Sequence, residues 1–213
     1  VADRIPLVGF YLQPAVGGVL LSTNFWRRFA AIDNVIAIKV APFHRYRTLD
    51  VMRGVVAAEA ENRISLYTGN DDHIFLDLLT PYALKRGEEE VVVRFKGGLL
   101  GHWSVWVKPA VDYLALAHGA IAAGKIDMNL LKLDSQITDA NGALFDVAND
   151  FAGCIAGCNE VLRRQGLMQG NWCLNSDEKL SPGQAAELDR VIAHYPHLCD
   201  DDFVVKNLEL WLG

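Results

Sequence analysis

Two rhythms of apolar and polar positions run through the first half of the chain. Short, nearly continuous aliphatic runs alternate with longer stretches whose apolar residues recur at helical spacing. "IPLVGFYLQP" (5–14) is a buried strand closed by Pro14, and "NVIAIKVA" (34–41) is a second. "ISLYTGND" (64–71) is a third, ending in a Gly-Asn-Asp turn. Between them, "LLSTNFWRRFAAI" (20–32) has Ser22 or Thr23 as N-cap, and "RTLDVMRGVVAAEAEN" (47–62) keeps a helical period. "DHIFLDLLTPYALKRG" (72–87) opens as a helix and breaks near Pro81. "EEEVVVRFKGGLLGHWSVWVKP" (88–109) holds one long strand or two short ones around Gly97 and Gly98. From Ala110 onward the signals are helical only. Ser181, Pro182 and Gln184 mark one helix start in the capping-box pattern. The order is β-α-β-α-β-α-β followed by helices. This order means a parallel sheet, either an open doubly wound one or part of a (β/α) barrel. The change near residue 110 divides the chain into a β/α part, 1–109, and a helical part, 110–213.

One residue breaks the pattern. Lys39 sits inside an otherwise aliphatic strand, and lysine is rarely buried unless its charge is paired or used. Side chains alternate along a strand, so Val35 and Ala37 share the face of Lys39 while Ile36, Ile38 and Val40 take the other. If Tyr11 points inward on the first strand, Gly9 and Leu7 share its side. Both polar residues lie near C-terminal strand ends, where barrel active sites are built. Neighbouring strands are ~4.8 Å apart, so a Tyr11 hydroxyl on that side would reach a Lys39 amine. Desolvation favours the neutral amine, which can attack a ketone and form a Schiff base, with a tyrosine relaying protons. The competing reading is structural: Lys39 snorkels past the strand end or pairs with Asp71 or Asp72.

Composition narrows the function classes. The 213 residues are 51% hydrophobic and 22% charged, with a net charge of −6, so the basic footprint of a nucleic-acid binder is missing. No window has the length of a membrane span, and no signal-peptide pattern opens the chain. The cytoplasm is the expected compartment. Cys154, Cys158, Cys173 and Cys199 do not form a disulfide framework, and Cys154 and Cys158, four apart on one helix face, are read as packing residues. Neither a metal nor a cofactor is expected. In "GNDDH" (69–73), Asp71 or Asp72 is better read as a helix N-cap than as a metal ligand. "FKGGLLGH" (95–102) is glycine-rich after a strand without matching a phosphate loop.

"GFYLQP", then the lysine of "NVIAIKVA" 28 residues after its tyrosine, then "LYTGNDD", resembles the dihydrodipicolinate synthase / N-acetylneuraminate lyase family. That family's strand 5 carries Tyr-Asn-x-Pro, its strand 6 a lysine, and its strand 7 Ser/Thr-Gly-Asp/Asn-Asp. "LGHWSVW" stands where the family has strand 8, and "LSPGQAAELDRVI" falls in its C-terminal helical region. The resemblance implies a class I aldolase type (β/α)8 barrel, of which this chain supplies strands 5–8 and the helical tail. It makes Lys39 the Schiff-base lysine and Tyr11 the proton relay. Gly69, Asn70, His44 and Trp103 are expected around the substrate. It also implies a homo-oligomer, and strands 1–4 supplied by a preceding segment or a second chain. "VADRIP" reads as a helix end leading straight into a strand, as such a half would begin.

Two departures matter. Leu12 replaces the asparagine after the tyrosine, and Val16 replaces the arginine that binds substrate carboxylate in the synthases. "APFHRYRT" places His44, Arg45 and Arg47 at the mouth, and Trp103 or Trp106 crowds the pocket. The function implied is therefore a Schiff-base-forming lyase or aldolase acting on a 2-oxo acid such as pyruvate or a sugar acid, not dihydrodipicolinate synthesis itself. A non-catalytic barrel that keeps its pocket for ligand binding or assembly is the alternative. A phosphorylated substrate on the Gly97–Gly98 loop and Arg45/Arg47 is a third reading.

Overall fold

The aliphatic runs become strands because each lies under helices on one face. The computed structural model describes residues 1–213, in two compact units, Val1–Leu100 and Gly101–Gly213. In the first unit, β1 (Leu7–Leu12), β2 (Val35–Ala41), β3 (Ser65–Thr68) and β6 (Phe95–Gly98) form a parallel sheet in the order β1-β2-β3-β6. Helices α1 (Thr23–Ala30), α2 (Arg45–Ala57) and α3 (Ile74–Leu79) connect the strands. The expected cap is present: Ser22 accepts the Phe25 N–H at the start of α1. At the other end of α1, the Arg63 guanidinium collects the carbonyls of Ile32 at 3.1 Å and Asp33 at 3.0 Å. This ties the entry to β2. Trp26, Ile38, Val40, Val51, Met52 and Val55 fill the space between sheet and helices.

The segment after α3 departs from expectation. Residues 82–93 form an antiparallel hairpin, β4 (Tyr82–Arg86) with β5 (Glu89–Val93), turning at Gly87 with φ of 62°. The fourth sheet strand is therefore Phe95–Gly98, and it pairs with β3. "LGHWSVW" is not that strand: Gly101–Ser104 is a 3-10 turn, and Val107 already belongs to α4. The expected caps Asp71 and Asp72 do not start α3 either, since its N-cap position is His73. The barrel is not closed. Both β1 and β6 are edge strands, and Val8 and Phe10 on β1 are 58% and 49% exposed.

The second unit is helical: α4 (Val107–Ala123), α5 (Met128–Leu144), α6 (Cys154–Arg164), α7 (Gln184–His194) and α8 (Asp201–Leu212). Half of the anticipated capping box is made there, with the Ser181 N–H donating to Gln184 Oε1 at 3.1 Å. The Ser181 hydroxyl instead turns to Asp146, which also takes the Gly153 N–H at 2.9 Å. Gly183, at φ of 87°, becomes the N-cap of α7. Arg190 and Tyr195 hold Asp139, with both guanidinium contacts at 2.8 Å. Arg190 keeps that carboxyl below its ordinary pKa. No helix is long and apolar enough to cross a membrane.

Candidate active site

Strand alternation and register decide which side chains share a face. In the parallel ladder Phe10 stands beside Lys39, Lys39 beside Tyr67, and Tyr67 beside Gly97, one row across all four strands. In-register neighbours on adjacent strands point the same way. Phe10, Lys39 and Tyr67 therefore share the face that the helices leave open. The contacts agree: Lys39 Nζ lies 4.5 Å from the centre of the Phe10 ring. The Tyr67 ring lies over Gly97, where a Cβ would come within 3.0 Å of Tyr67 Cε1.

Lys39 is half-buried near the C-terminal end of β2. Burial pushes its amine below the ordinary lysine pKa, and the nearby Asp71 carboxylate partly offsets this. Gly69 lies directly against the lysine arm. A Cβ there would sit 2.9 Å from Lys39 Cε and 2.6 Å from Ala41 Cβ, so only glycine lets the arm pass.

Tyr11 is not part of this row. It stands beside Val40, on the helix-covered face, 1% exposed and 5.1 Å from the Trp26 ring. Its hydroxyl accepts the Leu21 N–H at 3.3 Å and lies 3.4 Å from the Leu21 carbonyl. The geometry thus separates Tyr11 from Lys39 by the thickness of the sheet. The cause is the phase of β1: Phe10, not Tyr11, takes the open side.

The other expected pocket residues divide. Gly69 is beside Lys39. Asn70 is 1% exposed, and its amide is spent on internal bonds to Thr48, Asp77 and the Phe43 N–H, so it holds loops and does not face the open side. His44 is exposed at the N-cap of α2 without a capping bond, its ring 5.7 Å from Tyr46. Trp103 belongs to the 3-10 turn of the second unit. Val16 is exposed in the Pro14–Val16 turn. Arg45, expected at the mouth, is engaged with Asp77 and with the Tyr82 hydroxyl at 3.0 Å.

Three residues of the site were not anticipated: Phe10, Tyr67 and Asp77. The first two follow only from the strand register, which sets Phe10 and Tyr67 beside Lys39. Asp77 carries no such signal, because "FLDLL" reads as a helix with one polar position. No group of three or more His, Cys, Asp or Glu is arranged to hold a metal ion.

Comparison with solved structures bears on the fold. The chain is similar in fold to a dihydrodipicolinate synthase variant. That structure, of the first monomeric variant of the enzyme, matches with a TM-score of 0.62 and 20% identity, over 92% of this chain and 57% of that chain. This chain thus spans 57% of the length of that solved structure's chain. No family model matches the sequence, and no curated protein does. The likeness is one of fold: an α/β arrangement with a parallel sheet, here carrying part of a barrel's strands without closure.

Proposed function

We propose that the chain is part of a class I lyase or aldolase in which Lys39 forms a Schiff base with a 2-oxo acid such as pyruvate or a sugar acid. The observation that carries the reading is the lysine arm on the open face at a C-terminal strand end, its amine held below the usual pKa by burial. The neutral amine adds to the carbonyl carbon, and the carbinolamine loses its oxygen as water to leave a protonated imine. In a sugar acid with a hydroxyl on C4, loss of that hydroxyl's proton breaks the bond between C3 and C4, the C4 fragment leaves as an aldehyde, and the bond's electron pair enters the iminium to yield an enamine; pyruvate, which has no C4, forms the same enamine by losing a C3 proton and adds to an aldehyde in the reverse direction. Protonation at C3 and hydrolysis then return the lysine and release the shortened oxo acid. Leu12 and Val16 replace the asparagine and arginine of the synthases, so dihydrodipicolinate synthesis is not the reaction proposed. Four further parallel strands, from a preceding segment or a second chain, would pair with the open edges of β1 and β6 and cover the exposed Val8 and Phe10. Assembly into a homo-oligomer belongs to the same reading.

The alternative is a non-catalytic barrel that keeps its pocket for binding or assembly. The position of Tyr11 favours it, since the relay hydroxyl lies on the other face, and so does the charge of Asp71, which stabilises the ammonium form.

Borohydride trapping decides between them. Intact protein incubated with pyruvate and borohydride should gain one adduct on the peptide containing Lys39, and Lys39→Arg should lose it, because guanidinium stays protonated. The trapping rate should rise with pH through a midpoint below 10.5, as only the neutral amine attacks and burial favours that form. An adduct that persists in Lys39→Arg, or none with a broad panel of oxo acids, would overturn the reading.

A further inference from the structure

Asp77 lies in α3, fully buried, and takes part in no step of the reaction above. Its Oδ1 accepts the Tyr82 hydroxyl at 2.6 Å and the Arg45 guanidinium. Its Oδ2 accepts the Thr68 hydroxyl at 2.6 Å and the Asn70 amide at 2.9 Å. Asn70 carries the network onward. Its Nδ2 donates to Thr48 Oγ1 at 3.3 Å, its Oδ1 accepts the Phe43 N–H at 3.1 Å, and its own N–H donates to Thr68 Oγ1 at 3.2 Å. One carboxylate thus joins the end of β3, the loops after β2 and β3, the first turns of α2, and the β4–β5 hairpin.

Those two loops are the ones that leave the strands of Lys39 and Tyr67, and Gly69 in the second presses on the lysine arm. The first loop is strained: Phe43 has φ of 48°, a left-handed conformation that costs a β-carbon-bearing residue about 1–2 kcal/mol. The bond from its N–H to Asn70 helps hold it there.

We propose that Asp77 is the positioning residue of the site: by gripping Asn70 and Arg45 at once it fixes both loops, and so sets Gly69 against Lys39. The proposal rests on the reading of Lys39 as the reacting amine. Only a carboxylate suits the position. All four neighbours donate, and an amide at residue 77 would turn an N–H₂ group toward one pair of donors. In a dry interior such charge-assisted bonds are short and stiff. The hairpin contributes through Tyr82, whose hydroxyl is held protonated by burial and by the Asp77 charge.

The test follows the lysine directly. Intact protein is labelled with trace acetic anhydride across a pH series, and the Lys39 peptide is read by mass. Pyruvate trapping with borohydride is measured beside it. The groups facing Lys39 are the Phe10 ring from β1, Tyr67 from β3 and Asp71 after β3, and none is altered. Asn70→Ala and Asp77→Asn should raise the Lys39 labelling midpoint toward 10.5 as water reaches the arm. Both should slow trapping about 10-fold. Tyr82→Phe, which leaves the Asn70 link intact, should fall between these and the unaltered protein. If Asp77→Asn does not fold, Asn70→Ala decides alone. A folded Asn70→Ala with unchanged midpoint and trapping rate overturns the proposal. Labelling needs no imine, so a shifted midpoint without any trapped oxo acid would sink the Schiff-base reading and spare this one.

Discussion

On one face of the β1-β2-β3-β6 sheet, Tyr11, Ile38, Val40 and Leu66 are pressed under helices and lose nearly all contact with solvent. On the other, Val8 and Phe10 remain about half exposed, and Lys39 stands among them with its amine over an aromatic ring. The strands are the same; only the covering differs. The covered face takes its hydrogen bonds from fixed backbone, as Tyr11 does from Leu21. On the open face Lys39 has no fixed backbone cap, and its amine stands over the Phe10 ring. Stability is concentrated on the first face, and the chemistry proposed for Lys39 belongs to the second.

The sharpest way to break that contrast is to truncate one aromatic on each face. Trp26 is 1% exposed and packs on Tyr11, Phe25 and Phe29. Trp26→Ala should cost about 3–5 kcal/mol of unfolding free energy in urea titration. Phe10→Ala should cost about 1 kcal/mol or less, since half of its ring surface is already in water. Equal losses would mean that the Phe10 face is covered in solution by a further set of strands or a second chain, and the contrast drawn here would then describe an incomplete barrel.

A smaller effect on stability, and a larger one on the amine, is expected at Gly69. A methyl there must displace Ala41 Cβ at 2.6 Å and Lys39 Cε at 2.9 Å. Gly69→Ala should destabilise by about 1–3 kcal/mol through overpacking. It should also slow pyruvate trapping about 10-fold or more, by swinging the arm out of line. An unchanged trapping rate, read by intact mass against time, would show that the arm is not set by this glycine.

Much of this was legible in the residues. A lysine inside "VIAIKVA" announced an unusual strand, and the strand–helix alternation to residue 79 announced a parallel sheet. The second arm of the hairpin lies in a run read as strand, but the first arm, Tyr82–Arg86, was not legible, because Ala, Leu, Lys and Arg favour helix and only pairing across Gly87 overrides them. The phase of β1 was not legible either, for a different reason. Period-two alternation fixes which residues share a side but not which side faces the helices, and a register shift between Leu7 and Val8 further obscures it. Asp77 was invisible because its donors come from β3, α2, the loop after β3 and β4, which no local pattern connects.

The smallest effect bears most directly on that phase. Tyr11→Phe removes one hydroxyl whose bonds to Leu21 are 3.3 and 3.4 Å long, at the weak end of hydrogen bonding. The ring stays against Trp26, so stability should fall by about 0.5–1.5 kcal/mol at most. On the open face the same substitution would strip a proton relay, a loss typically worth ~10²–10⁴-fold in rate. On the covered face it should leave pyruvate trapping, and any turnover found with an oxo acid, within about two-fold. The two placements of Tyr11 thus differ by orders of magnitude in one measurement. A hundredfold drop would put the hydroxyl beside Lys39 and reverse the assignment of the β1 faces. A near-normal rate would leave Tyr67 and Asp71 as the proton-carrying groups on the lysine's side of the sheet, and each could then be replaced in turn.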